Sequence, residues 1–121
     1  MAKKILIIDD SFIARQQVIN ALKGCEYDLV EAVDGKDGLD KLASESEVSL
    51  VICDVNMPTL NGIELLTRLR AREVTFPPFL MVTSEAQPEL VSEAKKQGAK
   101  AWIRKPFKAE HLLAAVRKLA E

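Results

Sequence analysis

Carboxylate, hydroxyl and amine side chains stand at the ends of short apolar runs in this sequence, and their types suggest chemistry. Lys4-Ile5-Leu6-Ile7-Ile8 closes on Asp9-Asp10, and Leu50-Val51-Ile52-Cys53 closes on Asp54. Phe79-Leu80-Met81-Val82 closes on Thr83-Ser84, and Ala101-Trp102-Ile103-Arg104 on Lys105-Pro106. If the runs are strands of one parallel sheet, the residues after them share the edge where open α/β sheets place their binding crevice. Each has a plain structural role when taken alone: helix caps for Asp9-Asp10 and Thr83, an Asx-turn for Asp54, a solvated turn residue for Lys105. Their coincidence at successive strand ends argues for more. Two carboxylates ~4 Å apart repel by about 4 kcal/mol at an effective dielectric of about 20, so a cluster of three calls for a cation. An all-oxygen set with few protein ligands favours a small hard ion that keeps its waters, Mg²⁺. Carboxylate, Mg²⁺, hydroxyl and lysine together suit phosphoryl transfer to an aspartate, Asp54, because that chemistry rests on charge neutralisation and positioning.

The elements that must carry these residues are legible as an alternation. Lys4 to Ile8 predicts a first strand, with Ser11 a cap for a helix over Phe12 to Lys23. Ala14, Val18, Ala21 and Leu22 form the helix's apolar face, Arg15 and Gln16 fall off it, and Gly24 follows its end. Asp28 to Val33 is a second strand, Asp34-Gly35 a turn, and Leu39, Leu42 and Ala43 the face of a helix ending near Ser44. Gly35 and Gly38 make that helix the weakest expectation of the five. Leu50 to Asp54 reads as a buried central strand. A loop with Pro58 and an Asn61-Gly62 turn then leads to a helix bearing Ile63, Leu65, Leu66 and Leu69. Pro77-Pro78 precedes the fourth strand, a helix runs from about Pro88 to Gln97 with Gly98 beyond it, and a short strand Ala101 to Arg104 follows. The last helix spans Lys108 to about Ala120, with Leu112, Leu113, Val116 and Leu119 on its inner side. Five strands alternating with five helices define a doubly wound parallel α/β class, as one domain over residues 1–121.

Composition narrows the function. The 121 residues carry a net charge of -1 from 17 basic and 18 acidic side chains, interspersed, so no basic footprint for nucleic acid is present. No stretch reaches the ~18 apolar residues of a membrane span, and the amino terminus lacks a secretory signal pattern. Cys25 and Cys53 form no C-x-x-C pair and are expected as reduced thiols in the cytoplasm. His111 is the only histidine, which leaves no histidine-based metal site or triad to propose.

Several motifs resemble a known family, the receiver domains of two-component response regulators. They are Ile7-Ile8-Asp9-Asp10-Ser11, Val51-Ile52-Cys53-Asp54-Val55-Asn56-Met57-Pro58, Leu60-Asn61-Gly62, Met81-Val82-Thr83-Ser84, Gln97-Gly98-Ala99 and Lys105-Pro106-Phe107. The resemblance implies a flavodoxin-like (CheY-like) sheet of strand order 2-1-3-4-5. It implies Asp54 as phosphoacceptor, and Asp9, Asp10, Asp54 and the backbone carbonyl of Asn56 around Mg²⁺. Thr83 and Lys105 would bind phosphoryl oxygens, and the bond before Pro106 would be cis. Trp102 stands where the family usually has tyrosine or phenylalanine and would be the switch aromatic. Asn56 and Glu85 would tune self-dephosphorylation, on a scale of seconds to minutes. The chain is similar to stand-alone members without an output domain. The implied role is that of a monomeric shuttle between a sensor histidine kinase and a protein target, with chemotaxis at the flagellar motor as the expected setting. Its target face would be the fourth helix, fifth strand and fifth helix, where Glu89, Lys95 and Lys108 are candidate contacts.

Other roles remain compatible with these residues. A single receiver also serves as a phosphorelay intermediate or phosphate sink. A Mg²⁺-dependent phosphohydrolase with an aspartyl nucleophile shares the chemistry. The haloacid dehalogenase pattern, however, has D-x-D after the first strand, where this chain has adjacent Asp9-Asp10. A flavodoxin-like nucleotide carrier would need a phosphate-cradling loop at that position. An unphosphorylated pseudo-receiver would lack part of the acceptor, acid, hydroxyl and lysine set, all of which is present.

Overall fold

Ile-, Leu- and Val-rich runs too short for helices pair side by side into one parallel sheet. A computed structural model describes residues 3–57, 60–72, 75–84 and 87–120. Its strands are β1 (Lys4–Ile8), β2 (Asp28–Ala32), β3 (Val48–Cys53), β4 (Phe79–Thr83) and β5 (Ala101–Arg104). The alternating helices are α1 (Phe12–Ala21), α2 (Gly35–Ser44), α3 (Gly62–Ala71), α4 (Pro88–Lys96) and α5 (Ala109–Ala120). All pairings are parallel, in the order β2-β1-β3-β4-β5. The chain thus winds outward in both directions from β1 and β3, and their ends meet at the centre of one edge.

Both faces of the sheet are buried, which is why its central strands read as continuous apolar runs rather than alternating ones. One core packs Leu6, Ile8, Val51, Cys53 and Met81 against Ile63, Leu65, Leu66 and Leu69 of α3 and Ala94 of α4, with Leu39 and Leu42 of α2 alongside. The other packs Ile5, Ile7, Leu50, Ile52, Leu80 and Val82 against Val18 of α1 and Leu112 and Val116 of α5. Each fully buried Ile or Leu contributes roughly 1.5–3 kcal/mol, so these layers dominate the favourable side of folding. Among the described residues no helix is long and apolar enough to cross a membrane.

Several boundaries differ from the sequence reading for local reasons. Asp34-Gly35 is not a separate turn: the Asp34 carboxylate caps α2 by accepting from the Asp37 N–H at 2.8 Å, and Gly35 is its first residue. Asn61-Gly62 likewise opens α3 through a reciprocal capping box with Glu64. β3 begins two residues earlier than expected, at Val48, and Asp54 lies just past its end. β2 stops at Ala32, leaving Val33 exposed. α1 ends at Ala21 with Leu22 as C-cap, α4 ends at Lys96 with Gln97 as C-cap, and α5 begins at Ala109. Ala43 is exposed rather than on the inner face of α2. Arg15, expected off the apolar face of α1, is buried.

Gly35 explains why a helix with two early glycines is nevertheless formed. A Cβ there would lie 2.5 Å from the Leu60 carbonyl oxygen, so the missing side chain lets α2 seat against the loop before α3. The expected cost of Gly35→Ala is about 1–3 kcal/mol, as for other overpacked sites. Urea unfolding checks it, with a substitution at the adjacent exposed Lys36, Lys36→Ala, expected to stay within about 0.5 kcal/mol of wild type.

Candidate functional site

The acceptor candidate is positioned by backbone before any side chain acts. The Asp54 N–H donates to the Ile8 carbonyl at 3.0 Å, extending the β1–β3 pairing by one residue, so Asp54 leaves β3 beside the end of β1. Its carboxylate is buried, and Oδ1 accepts the Asn56 N–H at 3.1 Å. That leaves Oδ2 turned toward Lys105, whose Nζ stands 3.4 Å away.

Asp9 is more tightly held. Its N–H donates to the Ala32 carbonyl at 3.2 Å, Oδ1 accepts the Ser11 N–H at 3.0 Å, and Oδ2 accepts from Lys105 Nζ at 2.9 Å. Lys105 therefore lies between two carboxylates from different strands, with the shorter and stronger bond to Asp9. The lysine is placed by its own backbone, whose N–H donates to the Thr83 carbonyl at 2.9 Å, and the Lys105–Pro106 peptide is cis. Asp10 is exposed beside them, and oxygens of Asp9, Asp10 and Asp54 lie within 4.8 Å of one another. Three convergent carboxylates supply the hard, all-oxygen donors that a divalent cation such as magnesium takes, so the residues present fit that ion.

The remaining sequence candidates fall around this cluster. Thr83 is the last residue of β4 and fully buried. Asn56 is exposed, with its N–H on Asp54. Trp102 on β5 pairs in register with Met81, two residues before Thr83, and packs half-buried on the core shared with α3 and α4. Glu85 lies outside the described residues. Glu89, Lys95 and Lys108 are all exposed.

Two residues beneath the cluster gain meaning only in three dimensions. Gly62 starts α3 so close to Asp54 that a Cβ would stand 2.5 Å from the Asp54 carbonyl oxygen. Cys53, fully buried below, donates its thiol to that same carbonyl at 3.3 Å. Burial pushes the Cys53 thiol far above its usual range, with the charges of Asp54 and Asp9 adding to the effect.

Arg15 is the residue that periodicity missed. Its Nη1 donates to the Asp9 carbonyl at 2.7 Å and its Nε to Glu31 Oε1 at 2.9 Å. The one sequence signal was its place near the amino end of a helix, where a cation meets the positive end of the dipole and needs a compensating partner.

Comparison with known proteins is consistent with this geometry. Residues 5–117 match the family model described as response regulator receiver domain. The chain is 37% identical over 121 residues to the chemotaxis protein CheY-3 of Vibrio cholerae, covering 98% of this chain and 92% of that protein. It is 32% identical over 120 residues to the chemotaxis protein CheY of Listeria monocytogenes, covering 98% of both. Among solved structures, Vibrio cholerae chemotaxis protein CheY4 superposes with a TM-score of 0.88 at 36% identity, covering 98% of this chain and 99% of that one.

The thiols give a direct check on the packing under Asp54. Cys25 is half-buried and Cys53 buried, and both are free. Because the raised pKa keeps Cys53 protonated at neutral and mildly alkaline pH, a thiolate-selective reagent should label Cys25 alone in the native protein and Cys53 only after unfolding. Mass measurement after brief labelling decides it, and prompt native labelling of Cys53 would contradict the packing.

Proposed function

The chain belongs to the response regulator receiver domain family, and from that membership and the cluster at the strand ends we propose that Asp54 accepts a phosphoryl group from a sensor histidine kinase or phosphotransfer protein. The observation that carries the reading is the Lys105 ammonium placed between the Asp9 and Asp54 carboxylates, with Asp10 beside them. In the proposed reaction an Asp54 carboxylate oxygen attacks the phosphorus of a phosphohistidine. The new O–P bond forms as the N–P bond breaks, and the imidazole leaves with its electron pair and takes up a proton. The Asn56 N–H on Oδ1 fixes the rotation of the acceptor, which favours Oδ2 as the attacking atom. Lys105, already beside Oδ2, neutralises charge on the incoming phosphoryl oxygens, and the Thr83 hydroxyl is the proposed second partner. Asp9, Asp10, Asp54 and the Asn56 carbonyl would hold Mg²⁺, which when bound supplies charge neutralisation and orientation of the donor.

The chain acts as an acceptor that assists its own phosphorylation and hydrolysis, with Asn56, exposed beside the acceptor, tuning access of water. The modified state is read by a protein target on α4, β5 and α5. The chemotaxis names of its relatives support a target in that pathway.

Incubation with a small acyl phosphate or phosphoramidate and Mg²⁺ should add one phosphoryl group to wild type and none to Asp54→Asn, with chelation abolishing the reaction. Intact-protein mass measurement checks this, and equal labelling of both proteins would remove Asp54 from the role. Trp102, the single tryptophan, reports the switch. If the phosphoryl group draws the Thr83 hydroxyl inward, the ring two residues along the same face of the sheet repacks. A phosphoryl mimic should therefore shift its emission and acrylamide quenching, and Thr83→Ala should uncouple that shift from modification at Asp54. Unchanged emission in fully modified protein would contradict the coupling.

A further inference from the structure

Asp9 and Asp10 are adjacent, and in extended chain adjacent side chains point to opposite sides. Both carboxylates nevertheless reach one cluster with Asp54. The peptide joining the two residues must therefore be turned and held, and the carbonyl of that peptide is the Asp9 oxygen that accepts from Arg15 Nη1 at 2.7 Å. This bond is buried, and Arg15 itself is only 8% exposed. The stem side of the guanidinium is anchored separately, by Nε on Glu31 Oε1 at 2.9 Å. Glu31 lies on β2 in register with Ile7, two residues before Asp9, so one planar group ties α1 to the ends of two strands. The guanidinium also lies over the Phe12 ring, 5.8 Å from its centroid, which restricts its swing on the solvent side.

We propose that Arg15 is the positioning residue of the acid cluster: by gripping the Asp9–Asp10 peptide, with Glu31 as its anchor, it makes both carboxylates face the cation they share. This rests on the reading that the cluster binds a divalent cation. Arg15 touches neither the acceptor nor the ion in this arrangement and acts through the backbone. A lysine cannot reproduce the grip, because one ammonium on a flexible stem lacks the rigid fork that spans a carbonyl and a carboxylate at once. A helix-to-sheet ion pair of purely structural value would affect unfolding without changing cation affinity in the folded state.

Titration calorimetry with Mg²⁺ alone, on folded protein, separates the two roles. Arg15→Gln should weaken Mg²⁺ binding roughly 10- to 100-fold, the range for residues that orient metal ligands. Arg15→Lys should fall between it and wild type. Val116→Ala, a truncation in the core beneath α5, serves as the stability control: it should lower the melting temperature and leave the Mg²⁺ affinity unchanged. An Arg15→Gln protein with wild-type affinity overturns the proposal, whatever its melting temperature. Should Arg15→Gln fail to fold, Glu31→Ala removes the acceptor that anchors Nε and carries the same test. Several-fold weaker binding is then expected, and unchanged affinity overturns the proposal. Absence of Mg²⁺ binding in wild type would overturn the functional reading, and this inference with it, whereas binding that Arg15→Gln leaves intact overturns this inference alone.

Discussion

Lys105 leaves β5, reaches past the end of β4, and sets its ammonium 2.9 Å from an Asp9 oxygen and 3.4 Å from an Asp54 oxygen. Three strand ends that share no covalent neighbourhood are thereby held around one charge. The contact is partly buried, so water screens it less than a surface pair and it can orient as well as attract. One ammonium in contact with two of three clustered carboxylates leaves the cluster with excess negative charge. Repulsion of about 4 kcal/mol per pair at ~4 Å and an effective dielectric of about 20 is the scale of the strain, and a divalent cation would offset it. Sites that store unfavourable energy of this kind are kept for function, at the expense of stability.

The sheet explains how such a cluster is tolerated. β1 and β3 lie at its centre, buried on both faces by two apolar cores, so their ends cannot drift apart to relieve the repulsion. Gly62 and Gly35 let α3 and α2 close against the same region, and the Cys53 thiol satisfies the Asp54 carbonyl from below. The register of β4 and β5 then links this centre to the edge. Thr83 and Met81 point to one face, Met81 lies opposite Trp102, and that face carries α3 and α4. A change at the Thr83 hydroxyl therefore has a packed path to the outer surface.

Most of this architecture was visible in the sequence, because it depends on local signals. Apolar runs closed by Asp9-Asp10, Asp54, Thr83 and Lys105 announce the strands and the polar residues that gather at their ends, and Ile63, Leu65, Leu66 and Leu69 announce α3 by spacing alone. Less legible were features whose partners lie elsewhere in the fold. Arg15 looks like a solvated side chain on a helical wheel, since its acceptor is a carbonyl six residues back and its acid is on another strand. Gly35 weakens a helix by propensity, and its use appears only once Leu60 is seen against it. Val33 belongs to the strand by β-propensity, but the Asp34 cap of α2 follows at once, and the sheet ends before it.

Thermal melting in chelator and in millimolar Mg²⁺, on wild type and Asp10→Asn, tests most directly whether the acids form a strained, cation-requiring cluster. Asp10 is exposed, so its amide variant removes charge with little loss of packing. The account predicts that Asp10→Asn melts higher than wild type in chelator, because one source of repulsion is gone. It also predicts that Mg²⁺ raises the melting temperature of wild type progressively with concentration while hardly moving that of Asp10→Asn. An Asp10→Asn protein that melts lower than wild type in chelator, or a wild type indifferent to Mg²⁺, would contradict it.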